Sequence, residues 1–373
     1  MAETHNLILY SRSAVLADWT CPRKRWYNYE YLGRGIVSEG TSLELFLGTA
    51  VHDAIAAIAH GVDLEKICQA ATTQVKATLL QATGGGLEDV DAEHYAEEQA
   101  SLVEGLIRGF HRQVWPKITA EHEIVAIEQE YTFSHDGLTF MSKPDLITRH
   151  KTTRDLVYWE WKTTSTTKEQ WINSWSTAVQ LHSSVRAVEQ TLGEKITQVM
   201  VVGMSKGYSS YGKQQSVFCY GYFRSGEPPF TRETWSYEYK AGLKKYPVWQ
   251  RTGGVKRWVE EMPEDILMQQ FPQVPPIFIN DELIDAFFRQ RAEREHQIRA
   301  TRSLDLNDNA VVQEVMDSVF PQHFEACNPG WGRGCSYRQI CHGPKKAPLE
   351  MGFQLRQSHH QMEEDALNAN LAG

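Results

Sequence analysis

The side chains best suited to chemistry lie within residues 142–162, where Pro144-Asp145 falls in one strand-like run and Glu160-x-Lys162 in the next. Successive side chains on a strand alternate faces, so Glu160 and Lys162 point one way while Trp159 and Trp161 point the other. Two acids and a lysine can therefore converge. Asp145 and Glu160 offer the hard oxygen ligands that Mg²⁺ or Mn²⁺ prefers, and Lys162 can steady developing negative charge or orient an attacking water. That combination suits hydrolysis of a phosphodiester. An acid two residues before a lysine also occurs on a solvated hairpin face, so the surrounding residues must decide between the two readings.

The cysteines are the next set. Of six in the chain, Cys21 stands near the N-terminus, while Cys327, Cys335 and Cys341 cluster near the other end with seven and five residues between them. Cys68 and Cys219 sit in apolar periodic segments and read as small core residues. Six cysteines in 373 residues are too sparse for a disulfide scaffold, which favours metal ligation. Zinc and a [4Fe-4S] cluster both accept four thiolates. The cluster is the better match, because compact zinc sites draw ligands in two close pairs and Cys21 has no neighbouring cysteine. Its role would be structural, since hydrolysis transfers no electrons.

Bringing these residues together calls for an α/β core. Residues 11–32 read as a helix broken at Cys21-Pro22, and Thr41-x-x-Glu44 is a capping box for a helix to residue 60, stopped by Gly61. His52 lies within it. Two more helices fill 64–82 and 93–115, separated by Gly84-Gly85-Gly86 and ended by Pro116. The period then shifts to two. Strands are expected over 124–133, 138–149 and 156–162, joined by turns at His135-Asp136-Gly137 and 151–154. A helix over 168–192, closed by Gly193, carries Gln180, whose amide can bond a water or phosphate or cap a buried carbonyl. Strands over 198–203 and 217–223 complete a mixed sheet of about five strands flanked by helices. Prolines punctuate the chain beyond it, and Asn280-Asp281-Glu282 starts a long helix to about residue 299. The expected division is an N-terminal segment (1–40), a core with its helical part (41–225), a helical, aromatic and basic insertion (226–310), a cysteine-bearing segment (311–348) and a flexible tail (349–373).

The net charge of −9 at first argues against a nucleic-acid partner. Binding follows local patches, however, and a metal-ligating site must itself be acidic. Arg23, Lys24 and Arg25 form one basic patch. Within 235–258, Lys244, Lys245 and other cations interleave with Tyr237, Tyr239, Tyr246 and Trp249, so cations can follow phosphates while rings stack on unpaired bases. A charged helix burying its aromatics would read the same way. No apolar run reaches membrane-spanning length and the first residues do not form a signal peptide, so a reducing cytoplasm is the expected location and no membrane partner is expected.

Pro144-Asp145 and Glu160-x-Lys162 together resemble the signature of the PD-(D/E)XK nuclease superfamily. The run Ser11-x-Ser13-x7-Cys21-Pro22-Arg23-Lys24-Arg25-Trp26-Tyr27, then Gly48-Thr49-Ala50-Val51-His52, Gln180 and the three late cysteines, resembles its Cas4-like and RecB-like branch over residues 11–341. Ala56 and Ser184 depart from that branch, which often has an acid and a tyrosine there, and Cys327 and Cys335 are more widely spaced. The resemblance implies a restriction-endonuclease-like core whose N- and C-terminal segments are joined by a [4Fe-4S] cluster on Cys21, Cys327, Cys335 and Cys341. It implies Mg²⁺ or Mn²⁺ on Asp145, Glu160, the backbone carbonyl of Trp161 and His52, with Lys162 assisting hydrolysis and Gln180 positioning substrate. The expected function is a DNA nuclease, an exonuclease preferring single strands or free ends, in a recombination, repair or CRISPR-type complex of a bacterium, archaeon or phage. Its rivals are a catalytically weak scaffold subunit that binds nucleic acid and a zinc-stapled protein-interaction module in which Glu-x-Lys is coincidental.

Overall fold

The computed structural model describes residues 9–38, 43–83, 89–164, 168–175, 181–206, 208–210, 213–215, 255–262, 264–301, 309–327, 334–343 and 347–356. The chain enters through β1 (Leu9–Ser11) and α1 (Arg12–Thr20), where the Ser11 hydroxyl accepts from the Ala14 N–H as an N-cap. Pro22 opens α2 (Pro22–Arg25), the helical position at which its missing N–H matters least. A π turn (Trp26–Glu30) and a 3-10 turn (Tyr31–Gly33) lead to β2 (Ile36–Ser38). Helices α3 (Leu43–Ala59), α4 (Leu64–Thr83), α5 (Asp89–Gln113) and α6 (Trp115–Glu121) follow. Next come β3 (His122–Ile127), β4 (Tyr131–His135), β5 (Leu138–Ser142), β6 (Leu146–His150) and β7 (Leu156–Thr164), then α7 (Lys168–Trp175), α8 (His182–Leu192), β8 (Ile196–Ser205) and the hairpin of β9 (Tyr208–Ser210) with β10 (Lys213–Gln215). The remaining elements are α9 (Val255–Glu261), α10 (Glu264–Gln269), β11 (Ile277–Phe278), α11 (Asp281–Thr301), α12 (Asn309–Ser318), α13 (Phe324–Cys327), α14 (Arg338–His342) and β12 (Phe353–Leu355).

The main sheet is mixed and five-stranded, in the order β11-β8-β7-β6-β3, with β7 and β8 parallel and the other neighbours antiparallel. A three-stranded sheet, β1-β5-β4, lies beside it. Strand β7 carries large apolar residues on both faces and accordingly occupies the middle of the main sheet. Trp159 and Trp161 join the core formed with α3, α4 and α5, where Trp161 meets Phe110 edge-on at 5.4 Å. Tyr158 joins a second core with Val185 of α8 and Phe288 of α11. A third core unites Trp26, Tyr27 and Ile36 with Val315, Phe320, Tyr337 and Phe353, so apolar packing already brings the two ends of the chain together.

Several elements differ from the sequence expectation, each for a local reason. The strand expected over 124–133 is two strands, because Glu128 takes a positive φ of 46° and turns the chain between β3 and β4. The strand expected over 138–149 is also two, because Pro144 lacks the N–H that a continuous ladder would use. Between β4 and β5, Asp136 and Gly137 both have positive φ, the signature of a two-residue hairpin turn. The helix expected over 168–192 appears as α7 and α8 with 176–180 outside the described residues, and Gly193 closes it at φ 69°. The strand expected over 217–223 also lies outside them, and β11 is the fifth strand of the main sheet. Of the insertion expected over 226–310, residues 226–254 lie outside the described residues, while Val259, Leu267 and Phe271 pack into the core of Phe110 and Trp161. Of the tail expected over 349–373, only residues to 356 are described, and within them Phe353 lies opposite Ser38 and Leu355 opposite Ile36.

Candidate active site

The strand registers assemble the acidic residues. The β3–β6 ladder runs to Ile127 opposite Leu146, and the Glu128 N–H then donates to the Asp145 carbonyl at 3.2 Å. The β6–β7 ladder pairs Leu146 with Trp159, which brings Asp145 alongside Glu160. Asp145 thus sits between two glutamates from neighbouring strands. Helix α3 crosses above, and Gly48 allows its close approach: a Cβ there would lie 3.2 Å from Thr163 Oγ1 of β7. One turn later, His52 Nδ1 reaches 3.0 Å from Asp145 Oδ1. The other oxygen, Oδ2, accepts the Trp161 N–H at 2.7 Å.

Asp145 is 5 % exposed and Glu160 3 % exposed, so both carboxylates are shielded from water and take their hydrogen bonds from the protein. Tyr158 Oη donates to Glu160 Oε2 at 2.9 Å, and Lys162 Nζ lies 2.8 Å from Glu160 Oε1. On the other side, ligand atoms of His52, Glu128 and Asp145 lie within 4.8 Å of one another. Burial and then the charge of Asp145 push the Glu128 carboxyl above its usual range, against the opposing pull of Lys143, which pairs with it at 2.9 Å, and of His52. An imidazole nitrogen with two carboxylates is a donor set for a small divalent cation.

The structure therefore brings His52, Asp145, Glu160, Lys162 and the Trp161 backbone into one neighbourhood. Gln180 lies outside the described residues. Sequence reasoning missed Glu128, which comes to Asp145 only through the pairing of β3 with β6, and Lys143, whose partner is that same glutamate. It also missed Tyr158, although Tyr158 shares the face of Glu160 and Lys162 by simple alternation.

All four cysteines named from the sequence are described, and they meet around α2, α13 and α14. The Cys335 N–H donates to the Cys327 carbonyl, and the His323 N–H points at Cys21 Sγ from 3.4 Å. Burial, then Cys335 and Cys21, raise the Cys327 pKa. Burial pushes Cys341 up to about 11, with Cys335 and Cys21 adding to it and a hydrogen bond from Gln322 opposing it. Among the described residues no three of these sulfurs lie within 4.8 Å of one another, a wider frame than the metal trio. Cys68 is buried in the helical core, as expected, and Cys219 lies outside the described residues.

The basic patch expected at Arg23, Lys24 and Arg25 is corrected in part. Arg25 is 2 % exposed and bound to Glu30 at 3.0 Å and Glu295 at 3.3 Å, while Arg23 donates to the carbonyls of Phe320 and Met316. Both hold the N-terminal segment to the C-terminal one, and neither is a free surface cation. Lys24 is partly exposed. Lys244 and Lys245 lie outside the described residues, and Lys256 at the end of that basic run is paired with Glu65 at 2.8 Å.

A search of curated proteins finds no match to the chain. The family model described as the PD-(D/E)XK nuclease superfamily matches residues 11–342, a span that contains His52, the Asp145, Glu160 and Lys162 set and all four converging cysteines. The chain belongs to the PD-(D/E)XK nuclease superfamily.

Proposed function

We propose that this nuclease is a Mg²⁺- or Mn²⁺-dependent deoxyribonuclease of the Cas4-like and RecB-like branch, acting on single strands or free ends and carrying a structural [4Fe-4S] cluster. The observation that carries the catalytic part is the meeting of His52, Glu128 and Asp145 within 4.8 Å, beside the Glu160–Lys162 pair. Asp145, Glu160, the Trp161 carbonyl and His52 are the ligands we assign, with Glu128 joining them from the neighbouring strand end. A divalent ion held there would supply Lewis acidity, lowering the pKa of water and neutralising charge on the phosphoryl oxygens. The chain does the rest. The Trp161 N–H and Tyr158 hydroxyl fix the two carboxylates, burial keeps bulk water from screening them, and Lys162 orients the attacking water or balances charge growing at phosphorus. Gln180 positions substrate in this reading, and the alternating cations and aromatics of 235–258 supply the reason for preferring unpaired DNA.

Asp145→Asn and Glu160→Gln should each abolish metal-dependent cleavage of DNA with an unchanged circular dichroism spectrum, and Lys162→Met should be inactive while still binding Mn²⁺. Wild-type cleavage by Asp145→Asn would overturn the assignment. Single strands and linear duplex should be cut and covalently closed circles spared; equal rates on all three would remove the end preference but leave the metal site standing.

Four converging thiols with an amide N–H aimed at Cys21 support the cluster. Cys21 stands without a close partner cysteine in the sequence, which favours iron-sulfur over zinc, whose compact sites draw ligands in close pairs. Protein purified without oxygen should be brown with about four irons per chain. Cys21→Ser should lose the iron and Cys68→Ser should keep it. A colourless anaerobic preparation holding one zinc would refute the cluster.

A further inference from the structure

Lys143 stands two residues before Asp145, and its ammonium is bound to Glu128 Oε2 at 2.9 Å, with about a third of the lysine side chain exposed. Glu130 and Asp53 are nearby acids as well, so the ammonium sits in an acidic surround. The carboxylate it holds is one of the three groups that meet at the metal position. Two anions this close repel, and a cation on one of them relieves that repulsion. A divalent ion on His52, Glu128 and Asp145 would compete for the same carboxylate and would face a like charge a few ångströms away. The lysine reaches solvent and can swing aside on its flexible stem.

We propose that Lys143 is a placeholder cation: it holds Glu128 in position at the metal site and is displaced from that carboxylate when a divalent ion binds. This rests on reading His52, Glu128 and Asp145 as ligands. It concerns Lys143 alone; Lys162 is paired with Glu160 on the other side of Asp145. The ligands are thereby kept apart from collapse and close to their working geometry, at the expense of metal affinity.

The test is Mn²⁺ binding to the full chain without DNA, followed by electron paramagnetic resonance of the free ion and by calorimetry. Lys143→Met should bind Mn²⁺ about tenfold more tightly than wild type, because a competing and repelling charge is gone. Glu128→Gln should bind more weakly, and Lys143→Arg should stay near wild type. Lys143→Met should also melt at a lower temperature than wild type without Mn²⁺ and recover more on its addition, a pattern that a surface ion pair would not give. Unchanged or weaker binding by both Lys143→Met and Lys143→Gln would overturn the placeholder role. Wild-type affinity in Asp145→Asn would instead overturn the metal site itself, and the placeholder with it.

Discussion

Glu160 is held at both oxygens, by the Tyr158 hydroxyl and the Lys162 ammonium, inside a core that leaves it 3 % exposed. A carboxylate so restrained meets a cation with its geometry already set, and the groups that restrain it matter nearly as much as the ligand. Tyr158→Phe removes one hydroxyl and leaves Glu160 Oε2 buried with one fewer donor. The expected result is about a tenfold loss of Mn²⁺ affinity or of kcat/KM, with about 1 kcal/mol of destabilisation. Titration calorimetry and a melting curve check the two parts separately. A variant that loses stability but keeps metal affinity and rate would show that Tyr158 serves only the core.

At the level of elements, the approach of chain segments decides what a substitution does. Gly35 precedes β2 at φ 82°, and a Cβ there would lie 1.9 Å from the Asn28 carbonyl oxygen. No side-chain adjustment relieves a clash with backbone, so Gly35→Ala should cost about 3 kcal/mol or more. Because β2 pairs with β12 and packs beside Tyr337, the loss should appear as a lower melting temperature and, if the four cysteines hold the cluster proposed above, as reduced iron content. Gly33→Ala, also at positive φ but with open space around its Cβ, should cost less. The elements also explain which parts of the site were legible beforehand. Asp145, Glu160 and Lys162 were readable because a strand's period of two is written directly in sequence, and the helical setting of His52 because Gly61, at φ 77°, stops the chain just past the end of α3. Glu128 was not, since its place opposite Asp145 depends on the register of β3 against β6, and register follows from packing that no local pattern states. Arg25 misled for the same reason: three consecutive basic residues look like a surface patch until Glu295, far along the chain, is found against it.

For the whole molecule, the N-terminal segment is anchored by a buried network of charge rather than by apolar contact alone. Asp18 of α1 receives Arg291 at 2.9 Å and Arg294 at 2.9 Å from α11, Arg291 also pairs with Glu295, and Glu295 continues to Arg25 and Glu30. The two cysteine-bearing ends depend on this frame, since Arg294 also donates to the Val319 carbonyl and Arg23 to that of Phe320. Burial by itself would raise the Asp18 pKa, but the bonds and charges of Arg294 and Arg291 outweigh it and hold the carboxyl below its ordinary value. A depressed folded pKa means that the unfolded chain takes up the proton first as pH falls. The stabilisation is therefore complete above the ordinary aspartate range, about pH 3.9, and is lost as pH drops from there through the folded value. Asp18→Asn should destabilise the protein at neutral pH by about 3 kcal/mol, because the buried Arg291 keeps only Glu295 as its anion and the partly buried Arg294 loses its carboxylate. It should also flatten the acid limb of stability against pH, since the group that titrates there is gone. Urea midpoints measured from pH 7 down to pH 3 would test both; a parallel downward shift with an unchanged acid limb would assign the acid sensitivity to other carboxylates of the network.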